Sequence, residues 1–216
     1  MKLLFLIVVA LLAAACSGET EEPVVTATAA PGAVVAQWLD AVVAGDTDAL
    51  ATLVEPDGLA VLAGVENNVS SDELVALLNG GFEGDLAAGY WTAFRDDFAA
   101  IRGGSLESLT VGDESPIEGI SNYLAVAIAM DETVGRVIVR RSDTGWRVDL
   151  VATVGPALVR PLGDYLLGAL NGDNAVVIAD AYRSAIVPGL DAAIALDESN
   201  SDLVFGTEYL RQLSNS

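Results

Sequence analysis

The side chains this sequence lacks limit its chemistry more sharply than those it has. Its 216 residues include no histidine, one lysine (Lys2) and one cysteine (Cys16). Without imidazole there is no base for a Ser-His-Asp or Cys-His mechanism. With no lysine past residue 2 there is no amine for a Schiff base or a pyridoxal cofactor, and no G-x-x-x-x-G-K-[ST] phosphate loop. Zinc sites of His and Cys, and thiol redox chemistry, fall with them. Carboxylate, tyrosine, serine and arginine chemistry remain. An acid–base pair could be drawn from Tyr90, Tyr123, Asp96 and Asp97, but their spacing singles out no two of them. Arg136, Arg140, Arg141 and Arg147 crowd one stretch of an otherwise acidic chain. They could clamp an anion; cross-strand pairing with Asp149 and nearby carboxylates, worth roughly 0.2–1 kcal/mol each, is the simpler expectation. From Asp197 to Glu208, oxygen-bearing side chains fall where an EF-hand places its calcium ligands, with Val204 at the apolar position. Asp202 stands where that loop needs glycine, so a plain polar connection between helices is expected. No residue is assigned a catalytic, metal-ligating or cofactor-binding role, and no cofactor is expected.

Cys16 is the residue with a definite chemistry. Lys2 charges the start of the chain, residues 3–12 (LLFLIVVALL) carry no polar side chain, and Ala13, Ala14 and Ala15 lead into the cysteine. This is the layout of a secretory signal. The apolar run is shorter than the roughly 20 residues that span a bilayer. As the only cysteine, Cys16 has no intramolecular disulfide partner. The segment resembles the bacterial lipobox, whose cysteine is acylated and becomes the new N-terminus. Ala13 stands where that pattern usually has leucine, with Leu12 one place earlier. The resemblance implies a signal peptide over 1–15 and a palmitate-type acyl chain on Cys16. It places the protein on the extracytoplasmic side of a cell membrane, held by lipid. Residues 16–32, with SGETEEPVVTATAAPG after the cysteine, read as a flexible linker because so little apolar surface cannot order itself.

Net charge supports the anchor. At −21, and one unit more negative once Lys2 is cut away, the surface repels phosphate backbones, which excludes nucleic acid as a partner. It also repels an anionic bilayer, so membrane contact needs a covalent chain. Apolar residues make up 52% of the sequence, enough for a substantial core.

The elements follow from periodicity. Val34, Val35, Trp38, Leu39, Val42 and Val43 mark a helix that stops at Gly45. Asp46 or Thr47 caps a shorter helix, which Pro56 ends. Ser70 and Glu73 form a capping box for the next, closed by Gly80-Gly81. Leu86, Tyr90, Phe94, Phe98 and Ile101 share one face of a fourth helix, before Gly103-Gly104; the stripe is expected to be core rather than a ligand cavity. Strands are expected over 105–111, over 123–130 (YLAVAIAM), where large residues alternate with alanine, and over 134–141 and 146–151. Ser142-Asp143-Thr144-Gly145 turns the last two into a hairpin. Beyond Pro156 the chain reads as helices broken at Asn171-Gly172 and Pro188-Gly189.

Helices followed by consecutive antiparallel strands give an α+β fold. WLDAVVAGDTDALATLV (residues 38–54) resembles the opening helix pair of the NTF2-like superfamily, and RRSDTGWRVDLV (140–151) resembles its last hairpin. The resemblance implies an NTF2-like cone over 33–155, its helices packed in a curved antiparallel sheet, with 156–216 a helical extension packed on the domain. A first strand is expected near 58–64, where little room is left for one. The expected function is non-catalytic: binding of a small apolar ligand or an envelope protein. The alternatives are a His-independent isomerase-type enzyme using Asp and Tyr inside the cone, and a structural accessory of an envelope complex docked through its C-terminal helices.

Overall fold

Helix α1 (Pro31–Ala44) begins where proline fixes the first turn and ends where Gly45 adopts the left-handed conformation, φ 67°. Pro31 and Gly32, linker by composition, are therefore helical. The computed structural model describes residues 29–102, 105–130 and 133–216. Cys16, the 1–15 signal, the linker up to residue 28 and the Gly103-Gly104 stop lie outside them. Val34, Val35, Trp38, Leu39 and Val42 are buried along one face of α1, as their spacing predicts. Trp38 meets Phe94 and Phe98 edge-on, with centroids 6.0 and 5.8 Å apart. Ala30 offers no capping side chain, and the Gly32 N–H donates instead to Glu114 Oε1 at 2.7 Å, 82 residues along the chain.

Asp46 caps α2 (Thr47–Leu53), accepting the Ala49 N–H at 3.0 Å. Pro56 then opens a further helix, α3 (Pro56–Glu66), where a strand was expected. Every residue from Gly58 to Gly64 is buried. A helix enclosed on all sides has no amphipathic period, so its sequence looks like a short buried strand. The capping box of Ser70 and Glu73 starts α4 (Ser71–Ala76), and a π-turn (Leu77–Gly81) with Gly80 at φ 92° closes it. Helix α5 (Gly84–Arg102) carries the aromatic stripe.

Strands β1 (Thr110–Ile117), β2 (Ile120–Met130), β3 (Thr133–Ser142) and β4 (Gly145–Val148) form one antiparallel sheet in sequence order. The first is displaced from 105–111: Leu106–Ser108 is a 3-10 turn. β1 is an edge strand, which tolerates Asp113, Glu114 and Pro116 because one side has no ladder to complete. The β3–β4 turn falls at Asp143-Thr144, with Ser142 opposite Gly145, as predicted. β4 is shorter than 146–151, since Asp149 accepts the Ala152 N–H at 2.9 Å and caps α6 (Leu150–Val154).

The alternation in β2 sorts the sheet's two faces by size. Val126 and Ile128 join α1 in the main core, while Tyr123 and Ala125 pack on Ala152 of α6 and on Ala192 of a later helix. Alanine on that face lets the helical layer lie close. On that face lie α6 and α9 (Val187–Leu196), while α7 (Val159–Ala169), α8 (Ala175–Ala181) and α10 (Ser201–Ser214) bury Leu162, Leu166, Ile178, Leu203 and Leu210 in the main core. Asn171-Gly172 separates α7 from α8 as expected, but Pro188-Gly189 breaks nothing. A π segment (Tyr182–Ile186) joins α8 to α9 without a loop, and Pro188 sits in the first turn of α9. The wider spacing accommodates the N–H that proline lacks. The fold is α+β, and no helix among the described residues is long and apolar enough to cross a membrane.

Val151 of α6 is held between Gly58 of α3 and Gly189 of α9; a Cβ on either glycine would lie 2.9 Å from its side chain. Gly189→Ala is expected to cost about 1–3 kcal/mol through overpacking, read as a lower urea midpoint. An unchanged midpoint would mean that α9 slides away freely.

Candidate functional site

Two places combine side chains that could do chemistry. At the first, the ladder aligns Tyr123, Arg140 and Arg147 in one row across β2, β3 and β4. Beside β4, Val54 bridges Val148 and the Glu55 N–H donates to the Val148 carbonyl at 2.9 Å, which delivers Glu55 to this row. Asp149 completes the group. Its Oδ2 accepts the Tyr123 hydroxyl at 3.1 Å while Oδ1 holds the α6 cap. The Arg140 guanidinium lies 5.8 Å from the Tyr123 ring centroid, and its Nη1 donates to the Ser184 carbonyl at 3.2 Å. The cross-strand ion pairs expected of the arginines do not form among the described residues. Among the described residues the pairs are Arg95–Asp96, Arg183–Asp180 and Arg211 with Asp191 and Glu208; Arg141 covers Trp146 instead.

Burial pushes the Asp149 carboxyl above its ordinary value, opposed by hydrogen bonds from Ala152 and Tyr123 and by the Arg140 charge. Glu55 is raised too, by burial first, with Arg140 opposing. The Tyr123 hydroxyl is raised by burial and by the Asp149 charge. A carboxylate bonded to a tyrosine is the pairing an acid–base step would use. Here, however, Tyr123 and Asp149 are each only 2% exposed. Both Asp149 oxygens are engaged, and Arg140 and Arg147 offset Glu55 and Asp149. Tyr123 and Asp149 satisfy each other, whereas Glu55 Oε1 is buried with no hydrogen-bond partner among the described residues. The cluster ties the sheet to α3, α6 and the π segment. The sequence shows Tyr123 and Asp149 in separate roles; what joins them is Asp149's capping position, hidden while 146–151 reads as strand.

The second place is a groove of about 340 Å³ between α3, α5 and α6, lined by Glu66, Phe94, Asp97, Phe98, Val154 and Leu158 among others. Its wall comes from the aromatic stripe. Phe94 stacks on Phe98 at 5.5 Å and 16°, and on Tyr90 at 6.3 Å and 25°. Tyr90 and Phe98 are buried and Phe94 is partly open, but Leu86, expected on the same face, is 37% exposed, so the stripe is core only along its middle. Burial first, and then the Asp97 charge, raise the Glu66 carboxyl. The Tyr90 hydroxyl is buried, has no hydrogen-bond partner among the described residues, and is raised by burial and by Glu66.

The other candidates separate from these. Asp96 pairs with Arg95 at 3.1 Å on the exposed face of α5. The stretch from Asp197 to Glu208 is not a calcium loop. Asn200 caps α10 by accepting the Leu203 N–H at 3.1 Å, so Ser201, Asp202 and Glu208 are fixed along a helix and cannot wrap a cation. Asp197 Oδ1 accepts the Ser199 hydroxyl at 2.6 Å. No group of three or more carboxylates among the described residues is placed to hold a metal ion. No protein-family model, no curated protein and no solved structure matches this chain, which leaves the sealed Tyr123–Asp149 pair and the open groove beside Phe94 to speak for its function.

Proposed function

We propose that this is an extracytoplasmic lipoprotein, anchored through Cys16, whose folded domain binds an apolar ligand without transforming it. The observation behind the binding half is the groove. Phe94, Phe98, Val154 and Leu158 give it apolar walls, and its 340 Å³ falls within the range of small-molecule sites. The sealed state of Tyr123 and Asp149 favours this over isomerase-type chemistry, which needs a substrate within reach of both groups. We read residues 33–155 as a variant of the NTF2-like cone. In support, α1 and α2 form the expected opening pair, α1 contacts every strand, and β3–β4 form the expected closing hairpin.

Filling the groove from an exposed position tests the binding. Ala157→Trp should weaken an uncharged solvatochromic dye about tenfold or more, with the circular dichroism spectrum unchanged. Equal binding by the variant would remove the groove from the reading. A second reading, docking to another envelope protein, draws on the C-terminal helices. Phe205 is 75% and Val176 71% exposed, and Leu167, Val177 and Tyr209 lie open on the same three helices. Native mass spectrometry of the protein from its host separates the two: a bound small molecule favours the first, a bound subunit the second.

A further inference from the structure

We propose that the face formed by α7 and α10 binds a second copy of this chain about a two-fold axis. This goes beyond the ligand-binding reading and does not depend on the groove beside Phe94. A two-fold contact buries the same patch on both partners, so that patch must hold a projection and its recess, and charges of both signs. The α7–α10 face holds all four. Phe205, the most exposed large apolar side chain among the described residues, is the projection, with Tyr209 one turn further along α10. Beside it lies a groove of about 330 Å³, lined by Val159, Gly163, Gly206 and Tyr209 among others. Glycine makes the recess. A Cβ on Gly206 would lie 2.6 Å from the Val159 side chain, and one on Gly163 3.5 Å from the Tyr209 ring, so the helices approach closely and two positions on their seam carry nothing to fill it.

The rim supplies the charges. Arg160 stands there with Asp164 and Asp202, all three exposed and none in an ion pair among the described residues. A copy turned through a half rotation brings its carboxylates towards this Arg160 and receives this chain's carboxylates in return. A partner of one sign would satisfy one part of the rim and oppose the other, which selects a second copy over a basic or an acidic protein. The net charge of −21 opposes self-association at long range. Salt screens that repulsion beyond about 8 Å, whereas pairs formed within the contact act at shorter distances.

The test is a concentration series by native mass spectrometry on the full chain extracted from host membranes. The wild type should be dimeric at about 100 μM. Phe205→Ser, at an exposed position, should weaken the dimer about tenfold or more and leave the circular dichroism spectrum unchanged. Two charge variants decide whether like patches meet. Arg160→Glu makes the rim wholly negative, and Asp164→Arg with Asp202→Arg makes it wholly positive. Each variant should self-associate about tenfold more weakly than the wild type, and a mixture of the two should form a heterodimer as tight as the wild-type dimer. A wild type that stays monomeric overturns the proposal, as does a heterodimer no tighter than either variant with itself. A different protein that co-purifies and is lost with Phe205→Ser would take the face from the second copy. None of these outcomes bears on binding in the groove beside Phe94, which the dye titration tests separately.

Discussion

Asp149→Ala should destabilise this protein by about 3–5 kcal/mol, because one change strands several buried groups together. The Ala152 N–H loses its cap, the Tyr123 hydroxyl loses its acceptor, and Arg140 loses a nearby opposite charge. Urea unfolding followed by tryptophan fluorescence measures it, and a loss under 1 kcal/mol would show the cluster to be dispensable. Asp149→Asn keeps a carbonyl for the cap and should lose less, about 1–3 kcal/mol. The same variant isolates a pH effect. The folded carboxyl is raised above its ordinary 3.8, so the folded state holds that proton more tightly than the unfolded state does. Its stabilising contribution is therefore complete below the ordinary value and declines as pH rises through the raised one. Glu55 and Glu66 act with the same sign, which makes the difference between wild type and Asp149→Asn the informative quantity. That difference should shift in favour of the variant as pH rises across the acid range. A shift in the opposite direction would mean that hydrogen bonding, not burial, governs Asp149.

Cys16→Ser should move the protein from the membrane fraction to the supernatant, an all-or-none change. The expectation follows from the charged start, apolar run and small residues before the cysteine. It is reinforced by an acidic surface that cannot adsorb to anionic lipid. Incorporation of labelled palmitate into the wild type, absent from the variant, identifies the chemistry. A variant that sediments with membranes as fully as the wild type would refute the anchor.

Where the sequence carried a local signal, the structure follows it. The capping box at Ser70, the left-handed stop at Gly45, the alternation in β2 and the Asp143-Thr144 turn all depend on neighbours in the chain. The misreadings share a cause, which is that the deciding partner is distant. α3 lacks a polar face because the fold surrounds it. Pro188 reads as a breaker unless the preceding π segment is known. β1 looks unlike a strand because an edge needs no apolar alternation. The candidate sites were legible only as residue types. Tyr123, Asp149 and the arginines stand out by composition, but their convergence depends on Val54 bridging Val148. Glu66 carries no sequence signal at all; it matters because the end of α3 comes to rest beside Phe94 and Asp97.

The bond from Gly32 to Glu114 has a mechanical consequence. On a lipid-anchored protein, any tug between bilayer and domain arrives through the residues before Pro31. It does not meet a loose end that can peel. The first turn of α1 is fastened to the sheet's edge strand, and one turn later the same helix drives Trp38 into the core. Traction on the tether is thus shared at once between strand β1 and the buried face of α1, and the domain would hold under loads that would fray an unfastened terminus.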